Sequence, residues 1–261
     1  NKIDLVDKET AKKSYLEIKK LLGEKYSNSS IIPVSAQQNV NISEIFKAIA
    51  EIPMPKRNPN DIPIFIVARS FDINKPGAVP NELHGTVLGG TLKQGKLKVG
   101  DEIEIKPGRV DKESKKSISL KTKVVNLFNG SKKVEELTPG GSMSIETELD
   151  MSLGKSDLLS GNLVSLTNKL PASSTNTKLK YHLFPKVFGI SSDTKVEDIR
   201  KGEILMLSIN SSVTGGTVNS ITKDELQLAL KVPAILFKND NVGIGRNILG
   251  HWRLIGYGEV I

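Results

Sequence analysis

Over residues 1–52 apolar positions recur at three- and four-residue intervals, and from Ile64 onward the interval is two. The first pattern predicts helices. Ala11, Tyr15, Ile18 and Leu22 share one helical face, Asp7 or Thr10 is placed to cap it, and Gly23 suits its stop. Ile31–Ser35 reads as a short buried strand of the parallel-sheet kind. A second helix follows, with Asn41 and Glu44 spaced like a capping box and Ile42, Ile45, Phe46 and Ile49 as its apolar face. Two helices around one strand make the last third of a doubly wound α/β domain, too little to close a sizeable core alone.

Pro53, Pro55, Pro59 and Pro63 mark a stiff linker, and Leu170–Thr177 a second. Between them the period-two runs predict strands at 64–70, 85–88, 101–106, 121–127 and 141–146, with glycine and charged turns between. After the second linker come strands at 178–184, 203–209, 216–221, 226–231, 242–246 and 252–260, with a hairpin turn at Lys223-Asp224. Short strands this dense, with no helix between, indicate closed β-barrels. The expected domains are 1–55 (α/β), 60–170 and 176–261 (both mainly antiparallel barrels).

Composition narrows the chemistry. Of 261 residues, 38 % are hydrophobic and 25 % charged, an ordinary globular mix, and no apolar run could span a bilayer. The absence of cysteine removes disulfides, thiolate metal sites and cysteine nucleophiles, and fits a cytoplasmic protein. Three scattered histidines disfavour a histidine-rich metal site, and no metal ligand set is expected. The net charge of +8 is spread evenly. Residues 1–57 hold 10 Lys+Arg against 7 Asp+Glu, residues 58–170 hold 16 against 14, and residues 171–261 hold 11 against 8. Mild positive charge favours a polyanionic partner such as RNA, without a basic patch.

One constellation carries recognisable chemistry. Asn1-Lys2-Ile3-Asp4 is an N-K-x-D motif. A carboxylate such as Asp4 can accept from the adjacent N1–H and amine of guanine, a pair adenine does not offer. Asn1 can bond the base edge and fasten nearby loops, and the stem of Lys2 can lie over the ring. About thirty residues on, Ser35-Ala36 follows the buried strand, and backbone N–H groups there can donate to guanine O6. Two other matches are decoys. Gly90–Leu97 fits G-x-x-x-x-G-K but has Leu97 where a magnesium-binding hydroxyl is required, and strands flank it. Asp240–Gly243 fits D-x-x-G but lies after the base motif.

N-K-x-D followed by helix, strand and Ser-Ala resembles the fourth and fifth motif pair of GTP-binding domains. Gly85–Gly90 and Gly95–Ile103 are similar to the second-domain barrel of translational GTPases. Within that class, Arg69–Gly77, Pro139-Gly140-Gly141 and His251–Gly258 resemble the gamma-subunit family of archaeal and eukaryotic initiation factor 2. The resemblance implies a remnant of a P-loop GTPase G domain followed by two barrels. It implies GTP/GDP as ligand, with Mg2+ only if the missing N-terminal G-domain part is supplied, cut off here or carried by a separate chain. Alone, the chain is not expected to hydrolyse GTP. The implied partners are methionylated initiator tRNA, alpha and beta subunits and the small ribosomal subunit, with no membrane.

The same resemblance puts the tRNA acceptor end between the G domain and the second domain, at Phe71 and a turn formed by Gly89, Gly90, Thr91 and Leu92. It puts an alpha-subunit contact at Asn74, Lys75, Pro76 and Gly77. A selenocysteine-specific elongation factor, or a binding module that is not a GTPase, is the rival reading. Trp252, the only tryptophan, reads as a core residue of a terminal strand with His251 and Arg253 on the other side. His84 and His182 have no partner at catalytic spacing.

Overall fold

A computed structural model describes residues 1–110, 117–189 and 194–261. The chain divides into two compact units, Asn1–Lys56 and Arg57–Ile261.

In the first unit, α1 spans Lys8–Leu22 and α2 spans Ile42–Ala50. Asp7 caps α1 by accepting from the Thr10 N–H at 2.7 Å, and Gly23 ends it at φ 60°. Two local expectations fail. Asn41 stands before α2 in the left-handed region and its side chain caps nothing; its Nδ2 donates instead to the Pro33 carbonyl at 2.9 Å. Glu44 turns to Lys47 rather than back to the cap. The capping box therefore does not form, because the Asn41 amide fastens α2 to the 31–35 segment.

That segment is extended but not a strand. Its backbone–backbone ties are an isolated bridge from Ser35 to Val40 and one bond from the Ile3 N–H to the Val34 carbonyl. A parallel-sheet strand needs at least one paired neighbour strand, and residues 1–56 provide none. The helix faces likewise lack cover: neither helix buries a residue, and Phe46 remains 67 % exposed. Full burial of such a side chain would contribute about 1.5–3 kcal/mol.

The second unit holds both barrels. Its strands are β1 (Ile64–Phe71), β2 (Val87–Gln94), β3 (Leu97–Lys98), β4 (Glu102–Val110), β5 (Ser117–Asn129), β6 (Lys132–Val134), β7 (Glu136–Leu137), β8 (Met143–Thr147) and β9 (Leu163–Leu166). Antiparallel pairing runs β4-β9-β1-β2-β8-β5 and closes through β4–β5; β6 extends the far end of β5, and β3 pairs with β7. Phe65, Leu88, Leu92, Ile103, Leu127 and Ile145 fill the interior.

The second barrel uses β10 (Ser174–Leu183), β11 (Ile204–Ile209), β12 (Ser212–Ile221), β13 (Glu225–Ala234), β14 (Asn241–Ile248) and β15 (His251–Val260), closed in the order β10-β13-β12-β11-β14-β15. Lys223-Asp224 is the turn between β12 and β13, as its sequence predicts. The expected linker at 170–177 is shorter than predicted. Leu170 is buried and pairing begins at Ser174, since the alternating Thr175 and Thr177 already fit a strand.

The barrels share a third apolar cluster. Ile64, Leu163 and Leu170 from the first pack with Ile235 from the second, flanked by Ile66 and Phe237. Polar ties cross the same junction: the Ser211 hydroxyl donates to the Val67 carbonyl at 2.9 Å, and Lys93 Nζ lies 3.4 Å from Asp240 Oδ1.

Candidate functional site: base-reading turn and barrel faces

The N-K-x-D residues and the Ser-Ala turn, thirty-odd positions apart, meet in space. Asn1 Oδ1 accepts from the Lys2 N–H at 2.8 Å and the Ala36 N–H at 3.1 Å. Lys2 is left-handed (φ 67°), and this reverses the chain so that Asn1 folds back towards the turn. Ser35 is buried and exchanges backbone bonds with Val40, and its hydroxyl accepts from the Gln38 N–H at 3.2 Å. The turn is therefore held from both sides. The Asp4 carboxylate is exposed and has no hydrogen-bond or ion-pair partner among the described residues. The Gln37 N–H is also unpartnered, whereas the Ala36 N–H is already taken by Asn1. A free carboxylate in a motif fastened to a braced turn with a spare N–H suits a planar ligand with adjacent donors and a carbonyl, such as a guanine edge.

On the first barrel the predicted turn at 89–92 does not exist. Gly89, Gly90, Thr91 and Leu92 lie inside β2, hydrogen-bonded to β1 and, at Gly89 and Gly90, to β8. The glycines are there because neighbours come close, not because the chain reverses. A Cβ on Gly90 would sit 1.9 Å from the Ile66 carbonyl oxygen. Leu92 is fully buried, so it cannot touch a ligand. The turn lies further on, at Gly95 (φ 74°), inside the G-x-x-x-x-G-K decoy. Phe71 is half-buried and lies against Gly89, where a Cβ would meet its ring at 2.9 Å. The Arg69 guanidinium lies 5.7 Å from the Phe71 ring centroid, and Asp157 holds its Nε. Thr91 donates its hydroxyl to the Gly141 carbonyl at 3.3 Å, joining two of the glycine-marked stretches.

The 74–77 loop is braced from within. Asn74 donates through Nδ2 to Asp72 Oδ1 and the His84 carbonyl, both at 2.8 Å, and accepts from the His84 N–H at 2.7 Å. Hydrogen bonds from Asn74, aided by Lys155, hold the Asp72 carboxyl below its ordinary range. Asn74 is thus a loop fastener, while Lys75, Pro76 and Gly77 are exposed or half-exposed at the turn. His84 has a partner that sequence spacing did not reveal: its Nδ1 lies 2.7 Å from Oε1 of the buried Glu146, whose Oε2 accepts from Asn126.

On the second barrel the reading of Trp252 is overturned, for it is 46 % exposed. The register of β14 with β15 shifts between Ile244↔Gly256 and Gly245↔Leu254, leaving Ile255 as the extra residue. This bulge breaks the alternation: Ile255 points into the core, while Trp252, Leu254 and Tyr257 all face out. The same face carries an aromatic run that sequence spacing missed, because Tyr257 of β15 joins His182, Phe184 and Phe188 only through the pairing of β10 with β15. Their rings step at 5.4, 6.1 and 5.4 Å in the order His182–Tyr257–Phe184–Phe188. Among the described residues no group of three or more His, Cys, Asp or Glu could hold a metal, and no helix is long and apolar enough to cross a membrane.

The family described as initiation factor eIF2 gamma, C terminal, matches residues 175–260. Translation initiation factor 2 subunit gamma of Pyrococcus abyssi is 45 % identical, that of Pyrococcus furiosus 46 % and that of Thermoplasma acidophilum 43 %, each aligned over 264 residues and all of this chain. The chain spans 64 % of the length of each of these relatives. Among solved structures, a bacterial selenocysteine-specific elongation factor EF-Sec shares the fold with a TM-score of 0.74 at 20 % identity, over 99 % of this chain and 38 % of its own. Elongation factor SelB from Methanococcus maripaludis, with a GTP analogue, does so at 0.74 and 18 %, over 99 % and 57 %. With two closed barrels and sequence identity running along its whole length, the chain matches the C-terminal portion of the gamma-subunit family of translation initiation factor 2.

Proposed function

We propose that this chain works as the C-terminal portion of an initiation factor 2 gamma subunit, in GTP-dependent binding and delivery of methionyl initiator tRNA to the small ribosomal subunit. Residues 1–55 are the end of a P-loop GTPase G domain, and 60–170 and 176–261 are its second and third domains. Alpha and beta subunits are the protein partners, and the cytoplasm is the place of work. The carrying observation is the Asn1–Ala36 bond, which fastens the motif that holds Asp4 to the Ser35-Ala36 turn. Asp4 reads N1–H and the exocyclic amine; O6 takes the Gln37 N–H or displaces Asn1 from Ala36; the Lys2 stem covers the ring. The uncovered apolar faces of α1 and α2 support the same reading, since a doubly wound sheet is what covers such faces. Phosphate and Mg2+ chemistry requires residues outside this chain, so it does not turn over GTP alone. On the first barrel, Phe71, Gly89 and Thr91 beside Arg69 are the surface for the tRNA acceptor end, and Lys75, Pro76 and Gly77 the alpha contact.

The test pairs this chain with a candidate N-terminal half and measures GDP against ADP affinity. Preference for GDP that disappears in Asp4→Ala supports the reading; equal, weak binding of both by the mixture and by a fused chain defeats it. Filter binding of initiator against elongator tRNA separates it from a selenocysteine-type factor.

A further inference from the structure

We propose that the His182–Tyr257–Phe184–Phe188 stripe of the second barrel binds unpaired RNA, with bases stacked on its rings and a phosphate on Arg253 at its Phe188 end. This site is separate from the guanine turn and stands whether or not that assignment holds.

Two independent observations meet here. The first is the stripe. Tyr257 is 48 % and Phe188 44 % exposed, and His182 is exposed, so three ring surfaces face water. Rings 5–6 Å apart at a tilt or edge-on hold one another in place but leave faces open. The second is a cation without a counter-charge among the described residues. Arg253 is directly opposite Arg246 across β14 and β15, an unfavourable like-charge pair. Arg246 is engaged through four of its five N–H groups: Glu203 takes Nε and one Nη2 hydrogen, the Asp198 carbonyl the other, and the Glu197 carbonyl one from Nη1. Arg253 has no such partner among the described residues. Its Nε is buried without a partner, and the guanidinium makes no hydrogen bond or ion pair among the described residues. A half-buried guanidinium in that state calls for an anion.

The two features adjoin. Gly189 follows Phe188, and a Cβ on it would come within 2.8 Å of Arg253 Nη1. The backbone therefore passes over the guanidinium where the stripe ends. An acidic peptide would satisfy Arg253 but would make little use of four aromatic rings. A nucleotide uses both, since any base can stack and its phosphate matches the guanidinium fork. An RNA duplex buries its base faces in its own stack and cannot use the rings.

The experiment is fluorescence anisotropy of the full chain with a short labelled oligouridylate, a self-complementary RNA duplex and an oligoglutamate peptide. The expected result is preference for the single strand. Tyr257→Ala should weaken it roughly 5- to 100-fold, and Tyr257→Phe, which keeps the ring, should not. Arg253→Gln should flatten the salt dependence by about one phosphate contact, a slope change of about 0.7. Thermal melts of each variant confirm folding, and the Phe variant keeps the test decisive if the Ala variant unfolds. Equal affinity for duplex and single strand, no difference between wild type and the Arg253 variant, or tighter binding of oligoglutamate than of RNA would overturn the proposal.

Discussion

Asp157 grips Arg69, with Oδ1 and Oδ2 accepting from the Arg69 Nε at 2.8 and 3.0 Å. Oδ1 also accepts from the Ser70 N–H at 3.0 Å. These contacts, the Arg69 hydrogen bond first, hold the Asp157 carboxyl below its ordinary value. Its folded pKa is thus lower than its unfolded one. The resulting stability is fully present above the unfolded value of about 3.9 and is lost as pH falls through the folded value. Asp157→Asn should lower the melting temperature at neutral pH, and the gap to wild type should close in strong acid. A gap that persists at the lowest pH would mean that charge is not the cause.

Gly90→Ala should cost about 3 kcal/mol or more, because the new methyl would collide with the Ile66 carbonyl rather than with a movable side chain. Gly215→Ala is the matched control. It too lies in a strand, but its Cβ would meet only Lys231 side-chain atoms at 3.8 Å, an ordinary contact. Chemical denaturation of both variants should separate them clearly.

Ile235→Ala removes the second barrel's contribution to the shared cluster with Ile64, Leu163 and Leu170. The expected loss is about 2–5 kcal/mol. Because the cluster bridges the barrels, the variant should also unfold in two steps where wild type unfolds its barrels in one. Calorimetry gives the count of transitions directly.

Glu104 is buried and ties the first barrel to the chain leaving it. Its Oε1 accepts from the Leu170 N–H at 3.1 Å and pairs with Lys106 Nζ at 3.2 Å. Glu104→Ala leaves a mostly buried ammonium unpaired and should cost about 3–5 kcal/mol. Glu104→Gln keeps an acceptor and should cost much less. Equal losses would place the effect in packing.

Local chemistry made much of this legible. Asp7, Thr10 and Gly23 bracket α1 because caps act within one turn, and Lys223-Asp224 reverses the chain between β12 and β13 for equally local reasons. What failed depended on distant partners. Ile31–Val34 has a strand's composition, but strands are made by neighbours. Gly89-Gly90 looks like a turn until Ile66 and Phe71 are set against it. Trp252 reads as core because alternation carries no sign of the extra Ile255. Asn1 and Ala36 were legible as a pair only because the motif and the turn each carry a signature. The stripe of His182, Phe184, Phe188 and Tyr257 has none, since two of its contacts arise only where β10 lies beside β15.

Closure of both barrels has a consequence for association. A sheet that returns on itself offers no row of free N–H and C=O groups for an incoming strand to zip onto. The short β6 is the outer strand of its sheet, and it carries Lys132 and Lys133, charges that discourage such pairing. Whatever docks on these barrels must therefore recognise side chains and loop tips rather than extend a ladder. The same closure guards a lysine-rich, strand-dense chain against self-templated aggregation.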